Sequence, residues 1–356
     1  MASSSSSRAA AAASSGPARI SDLAQAAGVS SATVDRVLNG RAGVRPQTAE
    51  RVLKAAAALG YLGEHEARTG MAQRPMNLVF LLPGGNNRYL RMLGDYVDGA
   101  DEAWAPFPIK CRTQLVESFN PAELAARLLH HGQRCDGIAM MALEHPLVRD
   151  AVAALAERGV PVVTLISDLS NARRVAHIGI DNRAAGRTAG LLLGRFMGPA
   201  PRGKIAMIAG SLNYRAHEER EIGFLHLVEA QFPQLQVLGL REGQDESTRN
   251  YAQTRLLLEQ HPDLAGIYSC GGGTDGIARA IHETRHERKI LFIGHGLTPD
   301  TRALLIDGTL DALISQPPRA LIANCIKVFC NVREKKDPLD RIQPIQFSIV
   351  LRENLP

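Results

Sequence analysis

Residues 20 to 61, ISDLAQAAGVSSATVDRVLNGRAGVRPQTAERVLKAAAALGY, decide how the rest of the chain is read. The spacing of apolar positions predicts three short helices. Ser21 stands as an N-cap before LAQAA, and Gly28 closes the first helix where a left-handed residue is needed. Val29 and Ser30 make the turn, and Ser30 caps a second helix from about residue 31 to 38. Pro46 opens a third helix that turns Val52, Leu53, Ala56 and Leu59 inward before Gly60 ends it. Ala24, Gly28, Val34 and Val37 are small or apolar enough to let two helices cross closely, as a helix-turn-helix requires.

A three-helix bundle that merely caps another unit is the bland alternative, and the second helix argues against it. Ser31, Ala32, Asp35 and Arg36 fall on its outward face and are short or cationic enough to approach base edges in a major groove. Arg36 is the candidate for guanine, and Ser31 and Ala32 for the neighbouring bases. Thr33, Asn39 and Arg41 are placed for phosphates, which position a head without reading sequence. From Arg19 to Tyr61 six Lys and Arg stand against three acids, so this short piece holds +3 of the chain's formal +5. The partner implied is double-stranded DNA.

Composition narrows the rest. A chain of 356 residues with 45% hydrophobic content has room for two or three compact units. Five cysteines, none in a CxxC or Cys/His metal spacing, read as small apolar residues in a reduced compartment, so neither metal nor cofactor is expected. Residues 1–18 read as a disordered Ser/Ala tail and not as an export signal. No run of about 18 apolar residues follows, so a cytoplasmic protein without a membrane partner is expected.

From Met76 the pattern changes to short apolar runs alternating with amphipathic helices. NLVFLLPG, CDGIAMMAL, VPVVTLIS, VAHIGID, KIAMIAGS, VLGLRE, AGIYSCGGG, KILFIGHG and LDALISQ are strand candidates. Helices such as PAELAARLL, LVRDAVAALAERG and AAGRTAGLLLGRFM lie between them. Strand followed by helix, repeated this often, predicts an α/β, doubly wound parallel sheet in two similar halves, starting near Leu78 and Lys204. Sites in such sheets form beyond the C-terminal strand ends. CGGGTDG lacks both the G-x-G-x-x-G spacing and a Walker lysine, so close backbone approach explains its glycines better than phosphate binding.

AGVSSATVDRVLNG followed by GVRPQTAERVLKAAAALGY resembles the DNA-binding head of the lactose-repressor (LacI) family. DGIAMMALEHPLVRDAVAALAERGVPVVTL, HIGIDNRAAGRTAG, REIGF, IGHGLTPD and Gln316 resemble, in order, the periplasmic-binding-protein fold of the ribose-binder and repressor type. The resemblance implies a helix-turn-helix head at 19–61, a hinge or linker at 62–75 and an effector domain at 76–356. Its first lobe would span about 76–195 and 316–337, its second about 196–315 and 338–356. Two departures stand in the head: Asp35 where the family usually has serine, and Arg45 where serine or threonine caps the third helix. In the linker Ala67 and Arg68 fit a hinge helix, but Gly70 holds the position of the minor-groove wedge, where glycine cannot intercalate.

The resemblance also implies cleft residues. Asn86, Asn87 and Tyr89 stand where sugar-binding relatives carry asparagines and stacking aromatics. Arg220 matches a ligand-binding arginine, with a surface ion pair to Glu218 or Glu221 as the alternative. Gln316 matches a ligand-contacting glutamine, with hinge hydrogen bonding as the alternative. Ile166 and Ser167 replace a usual Asp-Arg pair, with Asp168 next, and His295 replaces a usual aspartate. Two carboxylates that would grip vicinal hydroxyls are thus missing, so a less hydroxylated, more apolar or anionic effector enters consideration, and His295 could make binding pH-sensitive. Asp275 either lines the site or starts the next helix. The expected protein is a repressor, a homodimer with tetramers left open, controlled by a sugar, polyol or related small metabolite. A solute receptor for a transporter is the alternative, and no paired nucleophile and base supports an enzyme.

Overall fold

The computed structural model describes residues 18–38, 44–61, 75–99, 109–284 and 289–356. Asn39, Arg41, Ala67, Arg68 and Gly70 lie outside the described residues. The chain divides into a small N-terminal unit and a large unit covering 77–100 and 110–356.

In the small unit, α1 (Ile20–Ala27), α2 (Ser31–Leu38) and α3 (Pro46–Ala58) close on one core that includes Leu23, Val34, Val37, Val52 and Ala56. Gly28 takes φ 63° and Val29 N–H donates to Ala24 O, the left-handed stop expected of that glycine. Ser30 Oγ accepts from Thr33 N–H at 3.2 Å and so caps α2. Two local expectations fail. The N-cap of α1 is Arg19, whose N–H donates at 2.8 Å to the carboxylate of Asp22 in the first turn, while Ser21 lies inside the helix. Leu59 is 42% exposed because the helix ends at Ala58, before the turn that would carry it inward. Arg45, the N-cap of α3, makes no capping bond with its side chain.

The large unit is built on two sheets. The first contains β1 (Met76–Pro83), β2 (Ile109–Val116), β3 (Gly137–Met140), β4 (Val162–Leu165) and β5 (Ala176–Ile178) in the order β2-β1-β3-β4-β5. The second contains β6 (Gly203–Ala209), β7 (Leu235–Val237), β8 (Arg241–Glu242), β9 (Leu264–Ser269), β10 (Leu291–His295), β11 (Ala312–Ser315) and β12 (Ser348–Val350). Its order is β12-β11-β10-β9-β6-β7, with β8 also paired to β6. β12 runs antiparallel to β11, whereas β1–β3, β3–β4, β4–β5, β6–β7, β6–β8, β6–β9, β9–β10 and β10–β11 pair in parallel. Strands such as β3 and β4 are buried at every position, as in sheets covered by helices on both faces.

The helices are α4 (Arg88–Asp98), α5 (Pro121–His131), α6 (Pro146–Glu157), α7 (Asn182–Phe196), α8 (Arg215–Gln231), α9 (Ser247–Gln260), α10 (Thr274–Glu283), α11 (Pro299–Ile306) and α12 (Pro318–Arg333). Helix α12 packs on α4, β4 and β5, so it belongs to the first lobe although it follows β11. Helix α7 packs on α8, β10 and β11. The expected lobe boundary near residue 195 therefore falls one helix too late, because α7 covers the second sheet. The chain crosses between lobes after β5, after β11 and before β12. None of the described helices is long and apolar enough to cross a membrane.

Candidate functional site

The two lobes meet around a cavity of about 90 Å³ beyond the strand ends. Asn86, Asn87, Tyr89, Arg220, Asp275, His295 and Gln316 all line it, together with His217, Ile166 and Thr298, which the sequence did not single out for binding. Ser167 and Asp168 do not line it.

Helix α8 delivers the charge. It crosses α7 at two facing glycines: a Cβ on Gly186 would stand 2.0 Å from Arg220 O, and one on Gly223 would stand 2.1 Å from Arg183 O. Only glycine allows the two backbones this approach, which sets Arg220 beside Asn182 at the start of α7. Arg220 Nε donates to Asn182 Oδ1 at 2.9 Å and Nη1 to Cys270 O at 2.8 Å. The residue is 5% exposed and forms no ion pair among the described residues, so the surface pair with Glu218 or Glu221 is not formed.

His217 lies three residues before Arg220 on the same helical face. Its Nδ1 is 2.9 Å from Ser211 O. His295, at the end of β10, shares a 2.8 Å hydrogen bond with the hydroxyl of Tyr268, which stacks on Phe224. Burial first, then the charge of Arg220, holds His295 well below the ordinary imidazole range. Burial likewise lowers His217, more than Asp245 raises it. Both rings are neutral at pH 7, and His295 is held by a side chain and not by backbone. Burial also pushes the Cys270 thiol up to about 12, so it is no nucleophile.

The first-lobe side is engaged with the protein itself. Asn87 caps α4 through Oδ1, which accepts from Leu90 N–H, and its Nδ2 donates to Asp245 Oδ2 at 2.9 Å across the cleft. Asn86 Oδ1 accepts from Arg91 at 3.1 Å. Tyr89 O–H donates to Gln316 O at 3.1 Å, and burial raises its pKa. Ile166 takes φ 63°, an uncommon conformation for a β-branched residue, and this turn brings its side chain to the cavity wall. The same turn redirects its neighbours. Ser167 is fully buried and its Oγ accepts from Ala216 N–H at 3.4 Å. Asp168 is held by both Arg174 nitrogens and by Thr164 Oγ1. Burial alone would raise its pKa, but Arg174, His177 and Thr164 together bring it down to about 2. Both residues thus serve lobe packing.

The remaining wall comes from loops. In CGGG a Cβ on Gly271 would meet Gly210 N at 2.5 Å within the second lobe, and one on Gly272 would meet Asn87 Nδ2 at 2.8 Å across the cleft. Asp275 is both the second residue of α10 and part of the lining, and it is exposed. Gln316 is 7% exposed on the second crossing, with its Oε1 buried and without a hydrogen-bond partner. Other contacts hold the lobes together: Glu144 N–H donates to Asn213 O at 2.8 Å, and Phe119 meets Tyr214 edge-on at 5.4 Å.

In the small unit, Ser31, Ala32 and Arg36 are exposed on α2, and Thr33 and Asp35 are half-buried. Thr33 Oγ1 is 2.9 Å from Ser30 Oγ. Val34 and Val37 face the core, leaving the predicted reading face outward.

Residues 19–63 match the model of bacterial regulatory proteins of the lacI family, and residues 98–337 match a periplasmic binding protein domain. The regulator CelR of Thermobifida fusca is 29% identical over 69% of this chain and 72% of its own. The ribose import binding protein RbsB of Salmonella typhimurium is 26% identical over 58% of this chain and 68% of its own. GanP, a glucose-galactose binding protein from Geobacillus stearothermophilus, superposes with TM-score 0.72 at 22% identity, covering 80% of this chain and 100% of that one, which shows the fold.

Proposed function

The chain belongs to the LacI family of bacterial regulatory proteins, and on that premise we propose a repressor whose hold on its operator is set by a small polar metabolite bound between the lobes. It is a transcriptional regulator and not an enzyme. The observation that carries the ligand half is the cavity wall itself: a buried guanidinium, Arg220, and Gln316, whose buried Oε1 has no hydrogen-bond partner among the described residues, both line it. Buried polar groups without protein partners suit a ligand that completes them. Such a ligand favours one lobe arrangement, and it changes operator affinity only by the difference in its affinity for the two arrangements.

The exposed face of α2 supports major-groove reading, with Arg36 on guanine, Ser31 and Ala32 on the neighbouring bases and Thr33 towards phosphate. A head that reads one half-site gains specificity by pairing, so a homodimer on a roughly palindromic operator is expected. Light scattering should give twice the chain mass. Binding to DNA upstream of its own gene should be sequence-selective and weaken steeply with salt. Failure to find such binding would sink the reading. Arg36→Ala should lose about 1–3 kcal/mol of base discrimination. The effector is of the sugar, polyol or related metabolite class, in keeping with the ribose and glucose-galactose binding proteins that resemble the effector domain. A thermal-shift screen identifies it, because a tight ligand raises apparent stability by mass action.

A further inference from the structure

One side of the cavity holds a guanidinium that forms no ion pair with any carboxylate among the described residues. Arg220 uses Nε and Nη1 on neutral acceptors, Asn182 Oδ1 and Cys270 O, and its Nη2 has no hydrogen bond among the described residues. The acids nearby are engaged elsewhere or exposed. Asp245 gives one oxygen to Asn87 and the other to Gly272 N–H. Asp275 and Asp300 are exposed in the first turns of α10 and α11, where a negative charge complements the helix ends. A guanidinium that is 5% exposed without a counter-charge is a costly arrangement, and a carboxylate ligand relieves it with two parallel charge-assisted bonds or one.

The other open valence has the opposite sense. Gln316 Oε1 is an acceptor, buried and unpartnered, so the ligand must bring a donor to it. The same cavity has an apolar part to its lining: Met141, Ile166, Ile180 and Ile314 are each at most 6% exposed. A ring bearing a hydroxyl on every carbon would set several of them against isoleucine and methionine.

Resting on the ligand-controlled reading above, we propose that the effector is a small hydroxycarboxylate, its carboxylate on the free edge of Arg220 and a hydroxyl donating to Gln316 Oε1. Its carbon skeleton lies along the isoleucine wall. Selection against neutral sugars follows, since they leave the guanidinium without a counter-charge once the cleft excludes water.

The test is calorimetry and thermal shift on the full-length protein with ribose against ribonate, galactose against galactonate, and lactate. At least one acid should bind about 100-fold more tightly than its parent sugar. Arg220→Gln should abolish that preference, and its unliganded melting curve reports whether it folds. Gln316→Glu, which adds a negative charge to the wall, should weaken the acid about 10-fold or more. If neutral sugars bind and acids do not, the hydroxycarboxylate is wrong while ligand control of the regulator stands. If neither class binds at millimolar concentration, both readings fall. Undiminished acid binding by a folded Arg220→Gln or by Gln316→Glu overturns the placement.

Discussion

The two walls of the cleft are built to different ends. On the first-lobe side, Asn87 and Tyr89 direct their polar atoms to protein partners, Leu90 and Asp245 in one case and Gln316 O in the other. On the other side, Arg220 and Gln316 keep atoms without protein partners. The first wall is suited to holding the lobes closed, and the second to choosing what they close upon. Residue type alone would not separate them, since asparagine and tyrosine are as capable of binding a ligand as arginine and glutamine.

Acid should separate the walls most strongly. His217 and His295 have native pKa values below the unfolded value of about 6.5, so the unfolded chain takes protons that the native state refuses. Their contribution is full above pH 6.5 and is lost as pH falls below it towards their lowered native values. His177 in the first lobe is also lowered by burial, but Asp168 stands 3.7 Å away to receive its charge. Asp168 itself, with its native value down at about 2, keeps its contribution above pH 3.8 and loses it as pH falls toward 2. Hydrogen exchange between pH 7 and 5 should therefore rise in α8 and β10 before β3 and β4. Equal loosening of both lobes would break the comparison.

Gly186→Ala comes next, at about 3 kcal/mol of destabilisation, because its methyl group meets backbone that cannot yield. Urea denaturation measures the loss, and ligand affinity should fall with it as Arg220 is displaced. Asp168→Asn should cost about 2 kcal/mol by breaking the pair with Arg174, whose side chain is 28% exposed. Its calorimetric ligand affinity should stay within twofold of wild type, since Asp168 is off the cavity. Asn87→Ala is the mildest, at about 1 kcal/mol for the lost helix cap. It should weaken all ligands by a similar factor without changing their ranking. A changed ranking would move the choice of ligand to the first wall.

Much of this was legible in the sequence. Runs of Val, Ile and Leu between amphipathic helices marked the central strands, and the glycines of AAGRTAG and REIGF lie where helices α7 and α8 touch. The misses have physical causes. β2, IKCRTQLV, alternates buried and exposed positions and so lacks the continuous apolar signature of its neighbours. β12, SIV, is a three-residue edge strand held by β11 from across the sequence. Helices α4 and α12 were passed over although both carry an apolar face. Ser167 and Asp168 are expected in the cleft because the resemblance places a ligand-binding pair after VVTL, but the positive φ of Ile166 turns Ile166 and not its two successors to the cavity. His217 was findable, since any residue three before a cleft arginine on one helix shares its face. Asp245 was not, because two successive left-handed residues, Gln244 and Asp245, carry it to Asn87.

Gln316 stands on the short link between β11 and α12, with its carbonyl accepting from Tyr89 and its amide oxygen buried without a hydrogen-bond partner. On the proposed reading, a specificity residue and a mechanical joint are one amino acid. Retuning this protein as a biosensor by altering that side chain would then shift its resting leakiness along with its choice of effector. Libraries that aim to change one without the other should vary the isoleucine wall and leave the joint alone.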